Sequence, residues 1–116
     1  MRRDRQRLQD IVEALEWVLR VVEGRTEDQF AGDEVLRYAI IQQLTVVGEA
    51  AARLSSEMTG KYPLVPWADV VGLRNVLVHQ YFGVHWPLVW QTVSDHVPVL
   101  LEQVREILRL EFPGSP

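Results

Sequence analysis

Apolar residues recur at three- and four-residue steps along most of this chain, and no segment alternates polar and apolar side chains with a period of two. That rhythm lines one face of a helix and leaves no half-buried strand to pair, so it predicts an all-α fold. Leu8, Ile11, Val12, Leu15, Leu19 and Val22 form the first stripe, widened by Ala14, Trp17, Val18 and Val21 and closed by Gly24. Thr26-Glu27-Asp28-Gln29 has the spacing of a capping box and predicts a short helix ending near Gly32. A long helix is expected from Asp33, with Leu36, Ile40, Leu44, Val47, Ala51, Leu54 and Met58 buried. Gly48, Ala50, Ala51 and Ala52 form a small-residue patch that lets another helix come close.

Pro63 and Pro66 bracket the next connection, and Pro66 suits the first position of a third helix, where its missing N–H costs nothing. That helix is expected to run through Trp67, Val70, Val71, Arg74 and Leu77 and to fray near His79. The last stripe spans Trp86 to Leu108, with a kink expected at Pro98. These elements predict an antiparallel four-helix bundle with a short extra helix. Residues 1–112 would form one domain and 113–116 a disordered tail. A domain of this size leaves much of its surface unburied, so pairing with a second copy would add stability.

Charge and composition narrow the function. The net charge is −4, against a protein that holds nucleic acid by bulk positive charge, but compatible with a local basic cleft. No DNA partner is expected. Arg2, Arg3, Arg5 and Arg7 cluster at the start and read first as a solvated, frayed helix end, with a phosphate-contacting arm as the alternative. With no cysteine, disulfides and thiolate zinc sites are excluded. The absence of a long uncharged apolar run or a leader pattern predicts a cytoplasmic protein with no membrane partner.

The stretch from Gly72 to Gly83 places Arg74, Asn75, His79 and Tyr81 near one helix end. On an uninterrupted α-helix Asn75 and His79 share a face, with Arg74 about 100° around from Asn75. RNA can be cut by its own 2′-hydroxyl if a base takes the proton, a cation steadies the phosphate and an acid protonates the leaving oxygen. His79 suits proton transfer near neutral pH. Arg74 suits a phosphate, presenting a planar fork of donors. Asn75 can orient the imidazole or donate to the phosphate. These residue types suffice for ribonuclease chemistry without defining it, since a histidine at a helix end is more often a cap or a packed side chain.

Taken together, LQDIVEALEWV, IQQLTVVGEAAARLS, YPLVPWADVVGLRNVLVHQYFGV and VWQTVSDHVPVLLEQV resemble the HepT-like toxins of the HEPN superfamily over nearly the whole chain. The strongest correspondence is Arg-x4-His-x-Tyr at Arg74, His79 and Tyr81. The resemblance implies a helical dimer with both motifs facing one RNA-cleaving cleft, acting as a metal-independent endoribonuclease without a cofactor. Arg74 and His79 fall on the family's catalytic pair, and Asn75 on a position that is frequently polar. Tyr81 falls on the tyrosine that a minimal nucleotidyltransferase antitoxin modifies with AMP, using ATP and magnesium. His85 stands where the family often has an acidic residue, which puts the local geometry in question.

Other readings compete for the same residues. Glu49, set among apolar and small side chains, reads as a structural ion partner or as support for Arg74. His79, His85 and His96 lack the spacing and the carboxylates of a metal site. Trp67, Trp86 and Trp90 could stack bases but sit at core spacing. Gly72 reads as a close-contact point between helices, and the dimer is expected along the faces carrying Gly72 and Arg74. The functional alternative is a non-catalytic subunit that binds nucleotide or RNA and docks the nucleotidyltransferase.

Overall fold

The computed structural model describes residues 2–75 and 85–114. Among these residues the fold is all-helical, with no strand. In chain order the helices are α1 (Arg2–Val22), α2 (Glu27–Ala31), α3 (Glu34–Ala52), α4 (Ser56–Lys61), α5 (Trp67–Gly72), α6 (Trp86–Gln91) and α7 (Val97–Glu111). A 3-10 turn, Leu73–Asn75, extends α5, and a π-helical turn, Thr92–His96, joins α6 to α7.

The predicted stripes are the ones that pack. Leu8, Ile11, Leu15 and Val18 of α1, Ile40, Leu44 and Val47 of α3, and Leu100, Val104 and Ile107 of α7 share one core. Helix α1 packs against α3 and α7, while α5 and the 3-10 turn lie on α3. None of the described helices is long and apolar enough to cross a membrane.

Local capping follows the sequence closely around α2 and α3. The Gln29 amide donates to Thr26 Oγ1 at 3.1 Å, and the Thr26 amide donates to Gln29 Oε1 at 2.9 Å. Two of the backbone donors that a helix start leaves orphaned are thereby satisfied. Asp33 caps α3, accepting from the Leu36 amide at 3.0 Å.

Three expectations change. The long second helix does not run on to Met58 but stops at Ala52, and Ser55 caps a separate α4 through the Met58 amide. The break and the first turn of α1 are tied together. Asp4, only 3% exposed, accepts from the Ser55 amide at 2.9 Å and from its hydroxyl at 2.6 Å. The Arg-rich start is therefore fastened at Asp4, although Arg3 and Arg5 are exposed. Pro66 occupies the cap of α5, one residue before the position expected for it.

At Pro98 the disturbance takes the form of the π-helical turn just upstream, where the Val97 amide reaches back five residues to the Thr92 carbonyl. A proline offers no N–H to its own turn and crowds the carbonyl four residues back. One widened turn accommodates both, and Val93, Val97 and Leu100 stay in the core.

Candidate active site

The path to Arg74 begins at the Tyr62–Pro66 bend. The Tyr62 carbonyl accepts from the Val65 amide at 3.2 Å and from Trp67 Nε1 at 3.0 Å, which holds the bend beneath α5. Val70 is the buried anchor of α5. The helix then tightens, and the Leu73 amide donates to the carbonyls of Val70 and Val71. Arg74 and Asn75 follow on the 3-10 turn, both exposed.

Gly48 of α3 receives this turn. A Cβ built on Gly48 would stand 2.2 Å from the Arg74 amide nitrogen and 2.9 Å from its Cα. Backbone meets backbone here, and only a residue without a side chain allows it. The small-residue patch thus does what its composition suggested, with the 3-10 turn as its partner. Gly72 is not the close-contact glycine within the chain: it is exposed, and a Cβ there would meet nothing within 4 Å.

Because the turn is 3-10, successive residues step about 120° rather than 100°, so Arg74 and Asn75 diverge more than on the expected α-helix. His79 and Tyr81 lie outside the described residues.

Glu49 is exposed, while Gly48, Ala50 and Ala51 beside it are buried. The premise that its neighbours bury it is therefore wrong: residue 49 points off the packed face of α3. No ion pair involves Glu49 or Arg74 among the described residues.

His85 is the exposed cap of α6. Its carbonyl accepts from the amides of Leu88 and Val89 at 3.0 and 3.2 Å, and its side chain makes no capping bond. An acid at this position could have capped the helix through its side chain; here the backbone alone does so.

Trp86 and Trp90 pack rather than stand free. Phe30 meets Trp86 edge-on at 6.0 Å and Trp90 at 5.2 Å, and Tyr38 meets Trp86 at 6.0 Å. The Arg37 guanidinium carbon lies 4.7 Å from the Trp86 ring centroid. Arg37 escaped the sequence reading; its signal was a lone charge in a long acid-free run of α3. Among the described residues no three His, Asp or Glu side chains gather as metal ligands.

The sequence that builds this arrangement matches one known family of proteins. The ribonuclease HepT-like family model matches residues 11–107, and the chain belongs to that family. A relative from Caldanaerobacter subterraneus subsp. tengcongensis, provisionally described as an RNase, is 36% identical over 96% of this chain and 99% of its own length. Another from Methanocaldococcus jannaschii, likewise provisionally described as an RNase, is 36% identical over 84% of this chain and 89% of its own. A Thermococcus cleftensis protein described as a probable ribonuclease HepT is 31% identical over 80% of this chain and 84% of its own. No solved structure matches the chain.

Proposed function

We infer that this protein is a metal-independent endoribonuclease, the toxin of a toxin–antitoxin pair. The longer helices would form an antiparallel four-helix bundle, and two copies would place their Arg74–His79 motifs along one cleft. The reading is carried by Arg74: it is exposed, has no carboxylate partner among the described residues, and its backbone is set against Gly48. Family membership and relatives described as ribonucleases support it.

In the proposed reaction an imidazole of His79 takes the proton from a ribose 2′-hydroxyl. The oxygen attacks the adjacent phosphorus, and the bond to the 5′-oxygen breaks. That oxygen is protonated by an acid, for which His79 of the second copy is placed by the dimer reading. The products are a 2′,3′-cyclic phosphate and a free 5′-hydroxyl. Arg74 binds the phosphate through its planar donors as charge builds on the oxygens, and Asn75 orients the imidazole or donates to the same phosphate.

Regulation in this reading falls on Tyr81. A nucleotidyltransferase partner would join its phenolic oxygen to the α-phosphorus of ATP, releasing pyrophosphate. The added nucleotide brings bulk and negative charge beside a phosphate-binding cleft and so excludes RNA.

The test is incubation of wild type, Arg74→Ala and His79→Ala with total RNA in chelator, followed by end-group analysis. Cleavage by wild type alone, leaving cyclic phosphate ends, is the expected outcome. Wild type shown by mass to be unmodified at Tyr81, yet leaving a broad RNA panel intact, would favour the non-catalytic binding subunit.

A further inference from the structure

Helix α5 is too short to hold its own place. It has six residues, where a helix needs about 12 to persist alone, and Pro66 caps it without a side-chain bond. Its position is set from outside, and with it that of Arg74 on the 3-10 turn that follows. Three points do this. The far end rests on Gly48 of α3. Val70 is buried at mid-length. At the near end, Trp67 Nε1 donates to the Tyr62 carbonyl at 3.0 Å.

The third point differs in kind. Gly48 refers the turn to α3, whereas the indole refers the start of α5 to Tyr62, whose hydroxyl is bonded to Glu111 at the end of α7. Trp67 and Arg74 stand seven residues apart, about 11 Å along the rod. A rod of that length pinned at both ends keeps its angle; freed at one end, it pivots on its seat. The Tyr62 carbonyl already accepts from the Val65 amide at 3.2 Å, so it keeps a partner without the indole. The bond from Trp67 therefore adds direction rather than satisfying an orphaned acceptor. The ring is packed against the core and its N–H is committed, an arrangement suited to bracing rather than to stacking on a base.

We propose that Trp67 is a positioning residue for the phosphate ligand: its indole N–H, bonded across the bend to Tyr62, sets the angle of α5 and so the placement of Arg74. The effect on rate rests on the ribonuclease reading, but the brace itself can be measured without RNA. Two variants remove the donor. Trp67→Phe keeps an aromatic ring, and replacing the indole of residue 67 by benzothiophene keeps the shape with sulfur where the N–H stands, so one variant serves if the other does not fold.

Hydrogen exchange reads the brace. The Leu73 amide, bonded to the carbonyls of Val70 and Val71, should exchange about tenfold faster in both variants, with amides in the middle of α1 unchanged. Cleavage of an oligoribonucleotide spanning a site that wild type cuts in total RNA reads the consequence. A shift of a fraction of an ångström at Arg74 should lower kcat about tenfold with KM held. In an Arg74→Lys background the same change at residue 67 should lower kcat less than about twofold, because both substitutions spoil one contact. Unchanged exchange at Leu73 overturns the brace. Equal losses of kcat in the two backgrounds, or a rise in KM with kcat held, overturn its action through Arg74, the latter in favour of a base stacked on the indole. Faster exchange at Leu73 in a protein whose wild type cuts no RNA leaves the brace standing and sinks the ribonuclease reading.

Discussion

The amide nitrogen of Arg74 lies 2.2 Å from where a Cβ on residue 48 would stand, so Gly48 is the seat on which the turn carrying the candidate phosphate ligand rests. Backbone cannot yield as a flexible side-chain tip can. Gly48→Ala must push the 3-10 turn off α3, and overpacking of this kind costs about 1–3 kcal/mol. Displacement of a catalytic group by about 1 Å can reduce a rate by about 100-fold. We expect Gly48→Ala to remain helical, to melt earlier in urea, and to lose most RNA cleavage. Gly72→Ala, where a Cβ meets nothing within the chain, should match or slightly exceed wild-type stability. Wild-type activity in Gly48→Ala would sink the seating argument.

Arg74→Lys separates charge from geometry. Lysine retains the positive charge but not the planar pair of donors. A lost charge-assisted hydrogen bond corresponds to about 1.5–3 kcal/mol, or about 10- to 100-fold in rate. The drop should appear in kcat with circular dichroism unchanged. A lysine variant at wild-type rate would mean that residue 74 acts only as a point charge.

Asp4 joins the start of α1 to the cap of α4 through two hydrogen bonds to Ser55. Removing the carboxylate leaves the Ser55 amide unsatisfied where Asp4 is only 3% exposed. Asp4→Ala should therefore destabilise the fold by about 2–4 kcal/mol. Chemical denaturation would check it, and a loss below about 0.5 kcal/mol would show the start of α1 to be loosely held after all.

Tyr62, Lys61 and Glu111 link α4 and its cap to the end of α7. The Tyr62 hydroxyl donates to Glu111 Oε2, and Lys61 Nζ lies 3.1 Å from Oε1. The hydrogen bond to Glu111, then burial, then that residue's negative charge push the Tyr62 pKa up to about 12. The hydrogen bonds from Tyr62 and then Lys61 hold the Glu111 carboxyl below its ordinary value. A raised tyrosine pKa gives stability that is complete below the ordinary value of about 10 and is lost as pH climbs toward 12. A lowered glutamate pKa gives stability that is complete above the ordinary value of about 4.3 and is lost as pH falls through its folded value. The link should hold across the interval between. Tyr62→Phe should lower stability within that interval and flatten the decline above pH 10 in thermal melts; an unchanged alkaline limb would rule out Tyr62 as its source.

The sequence by itself determined that the fold is helical and which faces of its long helices turn inward, because period and caps are local. The stripe through Leu36, Ile40, Leu44 and Val47, the Thr26 box and the Asp33 cap all need only their neighbours in the chain. It also placed Arg74 and His79 in one motif, since their spacing is a property of the chain. Tertiary structure decided what the chain meets across space. Asp4 reaching Ser55 ends α3 at Ala52, a break that the apolar stripe through Leu54 and Met58 concealed. Gly48 under Arg74 gives the small-residue patch its partner, and α3's packed face leaves Glu49 exposed. Arg37 gains its meaning only when Trp86, distant in sequence, stacks against it. Periodicity reports which side of a helix avoids water; it carries no record of which residue waits on the other side, because many partners bury the same apolar face equally well.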